Sequence, residues 1–196
     1  MNLSLLAEYY LKHIEKIMYQ TKQQHYHLFG WSLGAKISLE IAYILERRNN
    51  VNISLYLLDP IINDDYLMSL NEELDNPEKV KKEYLKFAMD RGYDDYHTQR
   101  VLFNMHAEHE LGNTQITGTL NKTKVLLFKA MQLDEMLTLH TKKIYKYLVN
   151  LKYNNVDKII INKSNLQLIE IENAHHGNIL QEETLLISKI SSTMLK

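Results

Sequence analysis

Along Met1 to Tyr19 the apolar positions Leu3, Leu6, Ala7, Tyr10, Leu11, Ile14, Ile17 and Met18 return at helical spacing, with Glu8, Lys12, Glu15 and Lys16 between them. That period predicts an amphipathic helix with one face against a core, and its interleaved charges set it apart from a secretion signal. The pattern then changes. Leu28 and Phe29 end a short strand, after which Ile37, Ile41, Ile44 and Leu45 mark one face of a second helix that finishes near Arg47 and Arg48. Val51 to Leu58 is a β-branched and leucine run closed by Asp59-Pro60, as a buried strand would be. Lys124 to Ala130 and Leu166 to Ile171 predict two more strands. Strands separated by helical stretches specify a parallel sheet with right-handed crossovers, the α/β class.

Positions 63–121 contain helical patterns without a convincing strand, and are expected to form a lid over a core made of 1–62 and 122–196, the whole being one domain over 1–196. Asn76-Pro77-Glu78 is a helix start with Pro77 in the first helical position, and Val80, Tyr84, Phe87 and Ala88 make one face of that helix. A second lid helix is predicted over Asp95 to Leu111. Leu137 to Val149 should cross back to the last strand, and Glu182 to Leu195 should close the fold.

Composition narrows the class further. With 196 residues, 45% of them hydrophobic and 24% charged, the chain can build a sizeable core. A net charge of −1 supplies no field for nucleic acid or an anionic membrane, so neither is an expected partner. No apolar run approaches the roughly 20 residues that span a bilayer. Cysteine is absent, which excludes disulfides, thiolate metal sites and a cysteine nucleophile, and fits a reducing cytoplasm.

Gly30-Trp31-Ser32-Leu33-Gly34 stands between the first strand and the second helix, where Gly-x-Ser-x-Gly forms a nucleophile elbow. A serine there would sit on a sharp turn, with a glycine two residues to either side to prevent collision, and would face the amino terminus of the following helix. A serine hydroxyl becomes nucleophilic only when an imidazole takes its proton, and the imidazole needs a carboxylate to fix its tautomer. Groups at the carboxyl ends of parallel strands can meet. This confines the acid to Asp59, Asp134 or Glu135 and the base to His175 or His176; Asp59 is preferred, with Asp134 the alternative. Trp31 is a candidate wall for an acyl pocket. The pair His106 and His109 has no third ligand at metal-site spacing and reads as a solvated helix face, so no metal is expected. His25 and His27 read as structural.

Tyr26-His-Leu-Phe-Gly-Trp-Ser-Leu-Gly34, followed by Glu40-Ile-Ala42, resembles the thioesterase domains of nonribosomal peptide and polyketide synthetases, the tryptophan before serine being the telling residue. The resemblance implies an α/β-hydrolase fold with a helical lid. It also implies Ser32 as nucleophile, Asp59 as acid and, from its His-x-x-x-Leu context with Leu180, His176 as base. The implied reaction releases an acyl or peptidyl chain from the phosphopantetheine arm of a carrier protein, through an acyl-enzyme and with no cofactor held by the enzyme itself. A generic carboxylesterase of the same fold and a degenerate, binding-only hydrolase are the alternatives. Two departures stand out. Ala35 and Lys36 replace the family's second glycine and its usual small or apolar follower. The family also carries strands ahead of the opening helix, so the chain is expected to be shortened at its amino terminus. Leu33 would supply one oxyanion amide, whereas the other normally comes from those strands. A bare sheet edge is expected too, either because the chain is a fragment of a longer thioesterase or to be covered by a rearranged terminus, a second copy or another chain.

Overall fold

The computed structural model describes residues 2–48, 52–72, 77–90, 92–135, 137 and 139–194. Asn76, expected to open a lid helix, and the side chains of Val80, Tyr84, Phe87, His106 and His109 lie outside the described residues. Strands β1 (His25–Trp31), β2 (Asn52–Leu58), β3 (Lys124–Gln132) and β4 (Leu166–His175) form one four-stranded sheet in chain order, every pair parallel. The helices are α1 (Leu3–Thr21), α2 (Leu33–Arg47), α3 (Asp65–Glu72), α4 (Pro77–Asp90), α5 (Asp95–Asn113), α6 (Leu139–Asn150), α7 (Val156–Ile159) and α8 (Glu183–Met194).

Local chemistry sets the ends of α1. The Asn2 side chain accepts the Ser4 amide at 2.9 Å, and Lys22 turns to φ 54°, where its amide and that of Gln23 close on the carbonyls of Tyr19 and Met18. Helices α1 and α2 bury Ala7, Leu11, Ala35, Leu39 and Leu45 against Leu55, Leu57 and Leu127 on one sheet face. The alternate residues Tyr56, Leu58, Leu126 and Phe128 point to the other face, where Leu186 of α8 covers them. Burial on both faces explains why β2 and β3 read as continuous apolar runs.

Helices α3, α4 and α5 occupy the stretch expected to form a lid. Leu67 and Leu70 of α3 pack on Tyr145 and Leu148 of α6, while the end of α5 is tied to the core through the Gly112 carbonyl, which accepts Lys36 Nζ and Asn63 Nδ2, each at 2.6 Å. Buried Glu40 of α2 takes the returning chain by accepting the Thr117 amide at 3.0 Å and the Ser4 hydroxyl at 2.6 Å. Glu46 accepts the amides of Asn121 and Lys122 just before β3.

Three elements exceed what the pattern predicts. Strand β4 runs through His175 rather than stopping at Ile171, and α3 and α7 have no counterpart in the sequence reading. Strand β1 pairs with β2 alone, so among the described residues its outer edge has no partner strand. His25 and His27 are structural there: His25 Nε2 lies 3.0 Å from the Ser54 hydroxyl and His27 Nδ1 3.2 Å from the Tyr56 hydroxyl. No helix among the described residues is long and apolar enough to cross a membrane.

Candidate active site

β1 and β2 end level at Trp31 and Leu58, while β3 and β4 run on to Gln132 and His175; the turn after β4 comes back to Asp59, so Ser32, Asp59 and that turn share one rim of the sheet. Ser32 amide donates to Leu58 O at 3.1 Å and Asp59 amide to Phe128 O at 2.8 Å, extending the ladder one residue past β1 and β2. Ser32 has φ 54° and ψ −120°, a conformation that costs an L residue on the order of 1–3 kcal/mol. The reversal folds the chain back over Gly30, where an added Cβ would stand 2.4 Å from Gly34 O and 2.5 Å from Ala35 N. Only glycine fits. Gly34 is different: a Cβ there meets nothing within 4 Å, so the expectation that both glycines prevent collision holds for Gly30 only. The helix has already turned the 34 position outward.

The Ser32 hydroxyl makes no capping bond to α2. Leu33 heads that helix, and its amide is one of those with no intrahelical acceptor. A developing negative charge beside Ser32 would therefore meet the positive end of the helix dipole.

Asp59, with φ 41°, turns its carboxylate under the rim. Its Oδ2 accepts His176 Nδ1 at 2.9 Å, and its Oδ1 accepts Asn154 Nδ2 at 2.9 Å and the Ala130 amide at 3.3 Å. Because a carboxylate beside Nδ1 accepts, the imidazole carries its proton on Nδ1 and leaves the Nε2 lone pair available, the tautomer a general base requires. The Asp59 side chain is 5% exposed and that of His176 12%, so the carboxylate lies behind the imidazole and out of solvent.

The turn itself is pinned. Asn178 Oδ1 accepts the His175 amide at 2.8 Å, and the Asn178 amide returns to His175 O at 3.1 Å. Trp31 donates from Nε1 to His176 O at 3.2 Å, with its ring centroid 5.4 Å from the imidazole. The Tyr145 ring lies 4.7 Å away on α6. Trp31, the candidate pocket wall, thus also holds the base. His175 goes elsewhere: its Nδ1 is 3.8 Å from Asp134 Oδ2 and accepts the Gly177 amide at 3.1 Å. Of Asp59, Asp134 and Glu135, the one joined to His176 is Asp59.

Three contributors escape a reading of the sequence. Asn154 and Tyr145 reach the site only through tertiary packing. Lys129, inside an apolar strand, is buried with Nζ donating to Val149 O at 2.8 Å in the last turn of α6. Burial lowers its pKa, partly opposed by the charges of Glu170 and Asp59. Among the described residues no group of three His, Cys, Asp or Glu side chains could hold a metal ion.

No protein-family model matches the sequence, and no curated protein matches it. Solved structures do resemble the fold. A four-domain nonribosomal peptide synthetase bound to AMP and glycine aligns with a TM-score of 0.59 and 16% identity, over 98% of this chain and 16% of that one. The NocB thioesterase domain, in covalent complex with a fluorophosphonate nocardicin G analog, gives 0.59 and 16%, over 94% of this chain and 70% of that chain. A marine microorganism esterase gives 0.53 and 14%, over 98% and 77%. The chain has the α/β-hydrolase fold, and it spans less of these structures than they span of it.

Proposed function

We propose that the chain is a serine thioesterase that releases an acyl or peptidyl chain from the phosphopantetheine arm of a carrier protein. The observation that carries this reading is the 2.9 Å bond between Asp59 and His176, set at the same sheet rim as a strained serine elbow. In the first step His176 Nε2 takes the Ser32 proton as Oγ attacks the thioester carbonyl, and the Leu33 amide receives the oxyanion. Collapse breaks the C–S bond, with the imidazolium returning its proton to the departing thiolate. Water, deprotonated by the same Nε2, then attacks the ester, and Ser32 leaves with the acid released. Asp59 stabilises the imidazolium in both halves.

Leu33 supplies one amide of the oxyanion hole, and a second donor would be worth about 10²–10³ in rate. A second copy or another chain seated along the β1 edge would complete it. Trp31 would line the acyl pocket, and the reaction needs no metal or cofactor of the enzyme's own. A carrier-protein substrate fits the reducing cytoplasm expected of a chain without cysteine.

The likeness to the marine esterase favours a second reading, a carboxylesterase of the same fold. Rates on an acyl-phosphopantetheinyl carrier protein and on the p-nitrophenyl ester of the same acyl group separate them. The thioesterase reading expects faster turnover of the carrier-bound thioester, abolished in Ser32→Ala. Preference for the oxygen ester would overturn it.

A further inference from the structure

The turn between α6 and α7 places two consecutive asparagines in the left-handed region, Asn154 at φ 48° and Asn155 at φ 63°. Asparagine tolerates that region better than most L residues. Consecutive positions would send side chains in different directions on regular backbone, yet both reach the irregular segment 59–64 that follows β2. Asn155 Nδ2 donates to Ile62 O at 3.0 Å and Asp64 Oδ2 at 2.9 Å. Asn154 Nδ2 donates to Pro60 O at 3.2 Å and Asp59 Oδ1 at 2.9 Å.

We propose that Asn154 is a positioning residue that holds the Asp59 carboxylate in the orientation which meets His176. The proposal rests on the Ser32, His176 and Asp59 reading above. Both atoms facing Nδ2 are acceptors, so the amide cannot be reversed. Its Oδ1 is consequently left buried without a hydrogen-bond partner among the described residues, on a side chain that is 0% exposed. Burying an unpaired carbonyl is unfavourable, and an apolar filler would avoid it. What the amide supplies in return is the bond to the acid. Asp59 has need of it, because its own φ is 41° and, among the described residues, the other donor to Oδ1 is the Ala130 amide at a longer 3.3 Å. The charged and titratable groups facing Asp59 are the His176 imidazole and, across β3, the Lys129 ammonium. Lys129 is committed to the Val149 and Leu151 carbonyls and cannot stand in for the amide.

The test follows phosphonylation of Ser32 by a fluorophosphonate from pH 5 to 10, together with the proton resonance of the His176 Nδ1–H, in wild type, Asn154→Ala, Asn154→Asp and Asn155→Ala. Losing a hydrogen bond to a charged group should slow Asn154→Ala about 10- to 100-fold per folded molecule. Asn154→Asp keeps the shape. At low pH its protonated carboxyl donates to Asp59 and the rate stays within about threefold of wild type; as pH rises the two carboxylates repel and the rate falls, an alkaline loss that wild type lacks. Asn155→Ala, in the same turn and on the same segment, should lower the melting temperature while keeping the rate per folded molecule. The Nδ1–H resonance should weaken or shift in Asn154→Ala and persist in Asn155→Ala. That signal is read without turnover, so it judges the inference even if wild type fails to react, which would sink the catalytic reading instead. Should Asn154→Ala not fold, the pH profile of Asn154→Asp decides. Rates and resonances unchanged in both Asn154 variants would overturn the proposal.

Discussion

Lys36 lies one helical turn beyond Ser32, 2% exposed, with its ammonium spent on the carbonyl that ends lid helix α5. Burial pulls its pKa from 10.5 down to about 8. The unfolded chain therefore keeps this proton up to near pH 10.5, whereas the folded chain releases it above about pH 8. Between those values the unfolded state binds more protons, so stability must rise with pH. At about 1.4 kcal/mol per unit the rise amounts to roughly 3 kcal/mol across the window; below pH 8 both states are protonated and this contribution is flat. Lys36→Met keeps the unbranched stem and removes the titration, and Gly112 O still accepts Asn63. Urea denaturation of both proteins at pH 7, 8, 9 and 10 measures the difference, in which Lys129 and the tyrosines cancel. Wild type should gain on the variant through the window, with no change in the gap below it. Parallel stability curves from pH 7 to 10 would refute the burial argument.

Three further outcomes follow from particular contacts. Gly30→Ala should cost on the order of 3 kcal/mol by forcing the elbow apart, while Gly34→Ala should stay within about 1 kcal/mol of wild type; thermal melts read both. Burial would raise the pKa of Asp64, but the Leu67 amide, Tyr147, Asn155 and Lys158 outweigh it and hold the group at about 2 against an ordinary 3.8. Its stabilisation is thus complete above about pH 4 and lost as pH falls toward 2, a loss of about 2 kcal/mol that Asp64→Asn should lack in acid denaturation. Asp59→Asn presents the wrong partner to Nδ1 and should slow acylation of Ser32 by about 10⁴, seen in stopped reactions with an active-site probe.

The parts of this fold that are legible in sequence are those where one face, or both, must be apolar. β2 and β3 announce themselves because the core covers them on both sides, and α1 and α2 because Ala7, Leu11, Leu39 and Leu45 keep one buried stripe. Ser32 and Asp59 could be placed because strand ends and turn residues are local signals. His175 and His176 could not be told apart by position, since which imidazole turns toward Asp59 depends on the 175–178 turn and on Trp31 from another strand. Asn154 gave no signal as a partner of the acid. An Asn-Asn pair marks a turn, but the contact it makes spans the chain from β2 to the end of α6. Lys129 sits in a run read only as strand, and nothing local shows that the carbonyls of Val149 and Leu151 at the end of α6 make its burial tolerable.

The central claim is that Ser32 is an oxygen nucleophile primed by His176. Mass spectrometry of the intact protein and its peptides after incubation with a fluorophosphonate tests it most directly. One covalent adduct is expected on the peptide holding Ser32, slowed by His176→Ala and absent in Ser32→Ala. A wild-type protein that stays unmodified at millimolar probe, or that is modified at another residue, would contradict it.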